Sequence, residues 1–96
     1  MNWDEYKTWG KKGIDWGSDY RKKLRDLPVR AQVNPGDIFK KIPNNPPENP
    51  EEMDIIFADF KEIILPGVTH WQHPRFFSYF PSNASPSSVF AELLTN

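Results

Sequence analysis

Ninety-six residues with a formal net charge of −1 and no cysteine limit this chain before any motif is read. That length holds at most one small domain, and near-neutral charge gives no electrostatic footprint for nucleic acid. Zero cysteine excludes a disulfide framework and a thiolate zinc site.

The first residues, Met1-Asn2-Trp3-Asp4-Glu5, carry neither the basic nor the apolar region of a signal peptide. No apolar run approaches the roughly 20 residues of a membrane span. With the missing cysteines, this fits a reducing compartment, and a cytoplasmic location without membrane or nucleic-acid partners is expected. The arm helix is predicted over residues 2–25, within a segment 1–27. Asn2 or Asp4 caps its start, and Asp4 and Glu5 suit the positive end of the dipole. Arg21, Lys22, Lys23 and Arg25 suit its negative end, and Pro28 bars continuation. Trp3, Tyr6, Gly10, Gly13, Ile14, Gly17, Tyr20, Leu24 and Leu27 recur at helical spacing, with Trp9 and Trp16 widening the stripe. Each interior glycine costs about 1 kcal/mol against alanine. Three on one face predict a groove where another helix approaches closely, against the alternative of a frayed helix.

Residues 28–49 read as an extended Pro-rich connector. Asn34-Pro35-Gly36-Asp37 is a turn signal, Ile38, Phe39 and Ile42 are apolar anchors, and Pro43 to Pro50 is a stiff spacer. A second helix is predicted over 50–65, with Asn49 as cap, Pro50 at the first position and Glu52 completing a capping box. Met53, Ile56, Phe57, Phe60, Ile63 and Ile64 form its apolar face, and Pro66-Gly67 ends it. Residues 66–84 resist both helix and strand. The run from Ile64 to Pro81 holds five aromatic residues and three prolines, which describes an irregular, rigid segment presenting flat faces. A third helix starts at Ser85, with Ser85 as cap, Pro86 first, and Val89, Phe90, Leu93 and Leu94 as its apolar side. It reaches Asn96 without a closing turn, and a cut through a longer helix is expected there. The fold class is therefore mainly α: an extended helical arm with a Pro-rich connector.

The aromatic residues (4 Trp, 3 Tyr, 7 Phe) nearly match Leu, Ile and Val together, and the 10 prolines are about twice the usual share. A self-sufficient core of this size wants more aliphatic filler. Self-association, rather than a compact monomer, is expected. Catalytic constellations are absent from the pattern. His70 and His73 have no third metal ligand near them, so packing or hydrogen bonding is expected rather than metal binding. Ser82, Ser85, Ser87 and Ser88 lack a nucleophile elbow. None of the lysines stands in an apolar pocket of the kind an imine-forming lysine needs.

Leu65-Pro66-Gly67-Val68-Thr69-His70-Trp71, His73-Pro74 and Phe76-Phe77-Ser78-Tyr79-Phe80-Pro81 together resemble the N-terminal signature of the group II pyridoxal-phosphate-dependent amino-acid decarboxylases. The likeness is to the aromatic L-amino-acid branch, and the other elements follow in that family's order. The resemblance implies the type I pyridoxal-phosphate fold, a large α/β domain entered through a helical arm that wraps its partner in a homodimer. It implies pyridoxal 5'-phosphate as cofactor and an aromatic L-amino acid as substrate. It also implies that the cofactor lysine and the other catalytic residues lie beyond Asn96, so the chain alone is expected to be inactive and to hold no cofactor-binding residue. By the same resemblance, the substrate ring is lined by Trp71, Tyr79, Phe80 and Pro81, with Ser82 as the small hydroxyl neighbour. Phe76 and Phe77 are expected to pack in a core. The alternative from another class is a short, non-catalytic dimerisation module built on the same arm.

Overall fold

The computed structural model describes residues 1–82 and 84–95. Asn83, and Asn96 with the expected cut, lie outside the described residues. Among the described residues four α-helices occur in order: α1 (Trp3–Lys23), α2 (Asp37–Lys41), α3 (Met53–Asp59) and α4 (Pro86–Thr95). No strand occurs among the described residues.

Helix α1 begins at a complete capping box. The Asn2 side chain accepts from the Asp4 and Glu5 N–H groups at 3.0 and 2.9 Å, and the Asn2 N–H donates to Glu5 at 2.7 Å. A 3-10 turn, Leu24–Asp26, closes it ahead of Pro28. The packed face is narrower than the predicted stripe. Trp9, Trp16 and Tyr20 turn inward, while Trp3, Tyr6 and Ile14 stay exposed. Trp16 meets Phe57 and Phe60 edge-on at 6.0 and 5.3 Å, and Trp9 meets Phe57 at 5.8 Å. Gly10 and Gly17 lie about 80–100° round the helix from Trp9, at 100° per residue. A Cβ built at Gly10, Gly13 or Gly17 meets nothing within 4 Å among the described residues, so none of the described elements makes the predicted close approach.

Two boundaries differ from the sequence expectation. Inside the connector, Gly36 takes a left-handed φ of +89° and opens the one-turn helix α2, which the extended reading of 28–49 omits. Asp37 closes that turn by accepting the Asn34 N–H at 2.9 Å. A helix of 5 residues cannot persist alone; this one is docked, because Ile38 lies against Gly67. The second helix starts at Met53, not at Pro50, and its cap residue Glu52 makes no side-chain bond. Asn49 is therefore not its cap. Helix forms where Phe57 packs on the α1 tryptophans; residues 43–52 are exposed throughout and gain nothing by coiling.

Past Asp59 the helix widens into a π-turn, Phe60–Ile64, in which Leu65 N–H reaches back to the Phe60 carbonyl. Pro66 follows at once, and its ring disfavours the ordinary i−4 arrangement. A 3-10 turn, Leu65–Gly67, then delivers the chain to the aromatic segment. Helix α4 has the predicted cap, with Ser85 and Ser88 bonding each other reciprocally at 3.0 and 3.1 Å.

Among the described residues only Leu24, His70 and His73 are buried. The accessible surface is 8559 Å², against about 5,700 Å² for a compact protein of this mass. The radius of gyration is 15.7 Å, where about 13 Å marks a compact domain of this length. The shortage of aliphatic filler in the sequence thus has a direct structural counterpart: apolar side chains without an interior to enter.

Candidate aromatic binding wall

Three anchors present residues 69–84. Gly67 allows the first: a Cβ there would lie 2.7 Å from Ile38 Cγ1, so only glycine lets α2 seat against the turn. The second is the His70 N–H, which donates to the Val29 carbonyl at 2.9 Å and ties the segment to the connector. The third joins side chains 50 residues apart: the Tyr20 hydroxyl lies 2.7 Å from His70 Nδ1. Successive turns follow, with His73 N–H donating to the His70 carbonyl at 3.0 Å and Phe76 N–H to that of His73 at 2.9 Å. These turns take the place of helix or strand that Pro66, Pro74 and Pro81 forbid.

The turns align three rings. Trp71 is sandwiched between Phe76, at 5.3 Å between centroids, and Tyr79, at 5.4 Å, with interplanar angles of 20° and 10°. Offset stacks of this kind contribute about 0.5–1.5 kcal/mol each beyond area burial. Tyr79 and Phe80 both hold left-handed φ values, 60° and 48°, which cost bulky side chains roughly 1–2 kcal/mol each. Phe80 consequently stands free of the chain, fully exposed, and Pro81 beside it is half-buried. Gln72 holds the far end: its Nε2 donates to the Ser82 carbonyl at 2.7 Å and its Oε1 accepts from the Ala84 N–H at 3.2 Å.

Of the five residues assigned to the wall, Trp71 and Tyr79 are stacked together, and Phe80, Pro81 and Ser82 continue the same strained turn. Ser82 is exposed, with its carbonyl engaged. The expectation for the neighbouring phenylalanines splits. Phe76 is half-buried in the stack, whereas Phe77 is 89% exposed and packs in no core of this chain. Two participants have no signature in the sequence reading. Gln72 is one polar residue among many, and Tyr20 reads only as part of a helical stripe.

Both histidines are buried and hydrogen-bonded. Burial, with His73 nearby, holds the His70 imidazole below the usual histidine range, and burial raises Tyr20, so both stay neutral near pH 7. His73 Nδ1 accepts the Arg75 N–H at 3.0 Å; its buried Nε2 has no partner among the described residues. No group of three potential metal ligands occurs among the described residues. A cleft of about 320 Å³ lies elsewhere, between Leu27, Val33, Lys61, Leu65 and Val68, with His70 on its lining. The aromatic segment itself is an open surface of stacked rings.

Residues 35–96, well over half of the chain, match the model of the pyridoxal-dependent decarboxylase conserved domain. The chain belongs to the pyridoxal-dependent decarboxylase family. Phenylacetaldehyde synthase of Arabidopsis thaliana is 41% identical over 95 residues, which are 99% of this chain and 19% of that protein. Tyrosine decarboxylase of Papaver somniferum is 42% identical over 92 residues, 96% of this chain and 18% of its own length. The crystal structure of Catharanthus roseus tryptophan decarboxylase in complex with L-tryptophan superposes with a TM-score of 0.88 at 33% identity. It matches 99% of this chain and 20% of that one. The chain thus spans about one fifth of the relatives it matches, within the aromatic amino-acid branch of the decarboxylase family.

The family takes pyridoxal phosphate. A lysine that binds this cofactor as an imine is desolvated. All eight lysines here are exposed, and two of them, Lys12 and Lys61, lie over the rings of Trp9 and Phe57 at 4.1 and 4.9 Å, as cations do. None of these lysines is in the desolvated setting described for that role.

Proposed function

We propose that the chain is the N-terminal part of a pyridoxal-phosphate-dependent aromatic L-amino-acid decarboxylase, a carboxy-lyase that releases CO₂ from the amino acid to give an amine. Its contribution is a dimerisation arm and one wall of the substrate pocket. The observation that carries the reading is the exposed stack of Trp71 between Phe76 and Tyr79, continued by a protruding Phe80, in a member of this family. A catechol, phenol or indole ring extends such a stack and gains the same offset geometry. Pro81 stiffens the turn and Ser82 offers a hydroxyl to a ring substituent.

The arm role rests on faces left without a cover. Trp3 and Ile14 on α1 are 84% and 57% exposed, beside glycines whose Cβ positions are open. On α4, Phe90 and Leu94 are 61% and 70% exposed. A second copy in a homodimer, and the rest of a longer chain, are the covers we assign. The cofactor lysine belongs to that remainder. The location is cytoplasmic in this reading; no helix among the described residues is long and apolar enough to cross a membrane.

A chimera tests the proposal. Residues 1–96 replace the matching segment of the Papaver tyrosine decarboxylase, and CO₂ release from tyrosine is measured with pyridoxal phosphate. Activity is expected, together with a KM raised at least about tenfold by Trp71→Ala, which deletes one aromatic contact. The 96-residue chain alone is expected to release no CO₂. An active isolated chain, or a Trp71→Ala chimera with unchanged KM for tyrosine, overturns the assignment.

A further inference from the structure

We propose that Tyr20 and His70 are a positioning pair: the hydroxyl–imidazole bond between the arm helix and the wall segment sets the orientation of Trp71, and through it the grip on an aromatic substrate. The proposal rests on the reading of Trp71 as a wall residue. Its physical basis is the asymmetry of what holds Trp71. The two rings that stack on it, the half-buried Phe76 and the exposed Tyr79, both follow it in the same run of turns. They keep the three rings parallel, but they cannot fix the stack against the rest of the molecule. That task falls to the residue before it.

His70 is 7% exposed and bonded in three directions: side chain to Tyr20 at 2.7 Å, N–H to Val29 at 2.9 Å, carbonyl to the His73 N–H at 3.0 Å. The two backbone bonds fix where the segment passes. The Trp71 N–H donates to the Thr69 carbonyl at 3.1 Å, and of these bonds the side-chain one alone reaches the arm helix. Tyr20 is in turn immobilised, stacked on Trp16 at 5.4 Å and 11°, while Trp16 is wedged against Phe57 and Phe60. A continuous set of fixed rings thus leads from α3 through α1 to His70 and ends beside Trp71. An apolar pair would fill the same space, but a directed bond between two neutral groups also selects one ring orientation. Burial disfavours charge on either partner, so the bond survives across neutral pH.

Tyr20→Phe keeps the stacked ring and removes only the hydroxyl. In the 96-residue chain, the readouts are the ¹⁵N shifts of the His70 imidazole and the indole N–H resonance of Trp71. Both are expected to move in Tyr20→Phe and to stay in place in Tyr6→Phe, an exposed tyrosine on the same helix. In the Papaver chimera, Tyr20→Phe is expected to raise the KM for tyrosine about 3- to 10-fold with kcat within about 2-fold, the effect of one net hydrogen bond on binding alone. A Trp71 resonance unmoved by Tyr20→Phe overturns the pair. So does a kcat that falls while KM holds. If the chimera itself is inactive, the decarboxylase reading fails while the Trp71 resonance still decides the pair, so the two failures are distinguishable.

Discussion

Replacing Gly67 by alanine tests the seat on which the aromatic segment rests. An alanine Cβ would stand 2.7 Å from Ile38 Cγ1, 3.2 Å from Cδ1 and 3.8 Å from Cβ. The first distance is a clash, the second is tight and the third is ordinary contact. Overpacking of this kind costs about 1–3 kcal/mol. Gly67 has no positive φ, so alanine also returns about 0.4–1 kcal/mol by restricting the unfolded chain. At mid-range values, about 2 against about 0.7 kcal/mol, the net destabilisation is about 1.3 kcal/mol, or roughly tenfold in a local opening equilibrium. Amide hydrogen exchange at the His70 N–H reads that opening, because this group bonds Val29 just past the turn. Ile38→Ala removes both offending carbons and leaves only the 3.8 Å contact. In that background Gly67→Ala should reverse sign and slow exchange. Ile38→Val keeps a carbon at the Cγ1 position and should not reverse it. Unchanged exchange in Gly67→Ala, or equal rescue by alanine and valine at 38, refutes the close-approach account.

Three further outcomes follow from other contacts. Asn2→Ala removes the acceptor for two N–H groups and should destabilise the first turn of α1 by about 1 kcal/mol, seen as lost helical ellipticity, whereas Asn2→Asp should hold it. Gln72→Ala frees the loop that ends at Ser82 and Ala84; cleavage by chymotrypsin next to Tyr79 and Phe80 should quicken about 3- to 10-fold, while Gln32→Ala changes nothing there. The third concerns pH. His70 is held below its ordinary value in the fold, so the unfolded chain binds the proton more readily. Its neutral form therefore contributes full stability above about pH 6.5, and that contribution declines as the pH falls through that value toward the depressed folded one. Exchange at the His70 N–H, corrected for intrinsic rate, should accelerate on acidification through that window, and a His70→Gln variant should lose the dependence.

Helix α1 was legible because three independent signals agree: a capping residue at Asn2 or Asp4, acidic and basic ends, and a helical repeat of rings; the reciprocal Asn2–Glu5 box was seen only in the structure. The start of α3 was not, since Asn49-Pro50 satisfies the same local rules while residues 51 and 52 have nothing to pack on. Local propensity proposes such a start, and tertiary burial selects among the proposals. Helix α2 shows the converse, a single turn too short to be signalled and held by Ile38 on Gly67. The irregular aromatic segment stood out by type, because prolines and aromatics together exclude regular structure. Their stacking order, the Gln72 clamp and the Tyr20–His70 bond did not stand out. Each joins groups 10 to 50 residues apart, or depends on which face a turn presents, and neither is written in local spacing.

The left-handed backbone at Tyr79 and Phe80 limits which residues can occupy the wall. Substitution at these two positions is filtered first by conformation and only then by fit to a ring. Valine, isoleucine and threonine are excluded by their branched Cβ whatever they offer a ligand, while asparagine and glycine are admitted although they offer no aromatic face. A library that swaps side chains here to retune recognition therefore draws from a short alphabet. Wider changes in preference are more accessible from positions with ordinary φ, Trp71 and Phe76 among them, where the backbone imposes no prior choice.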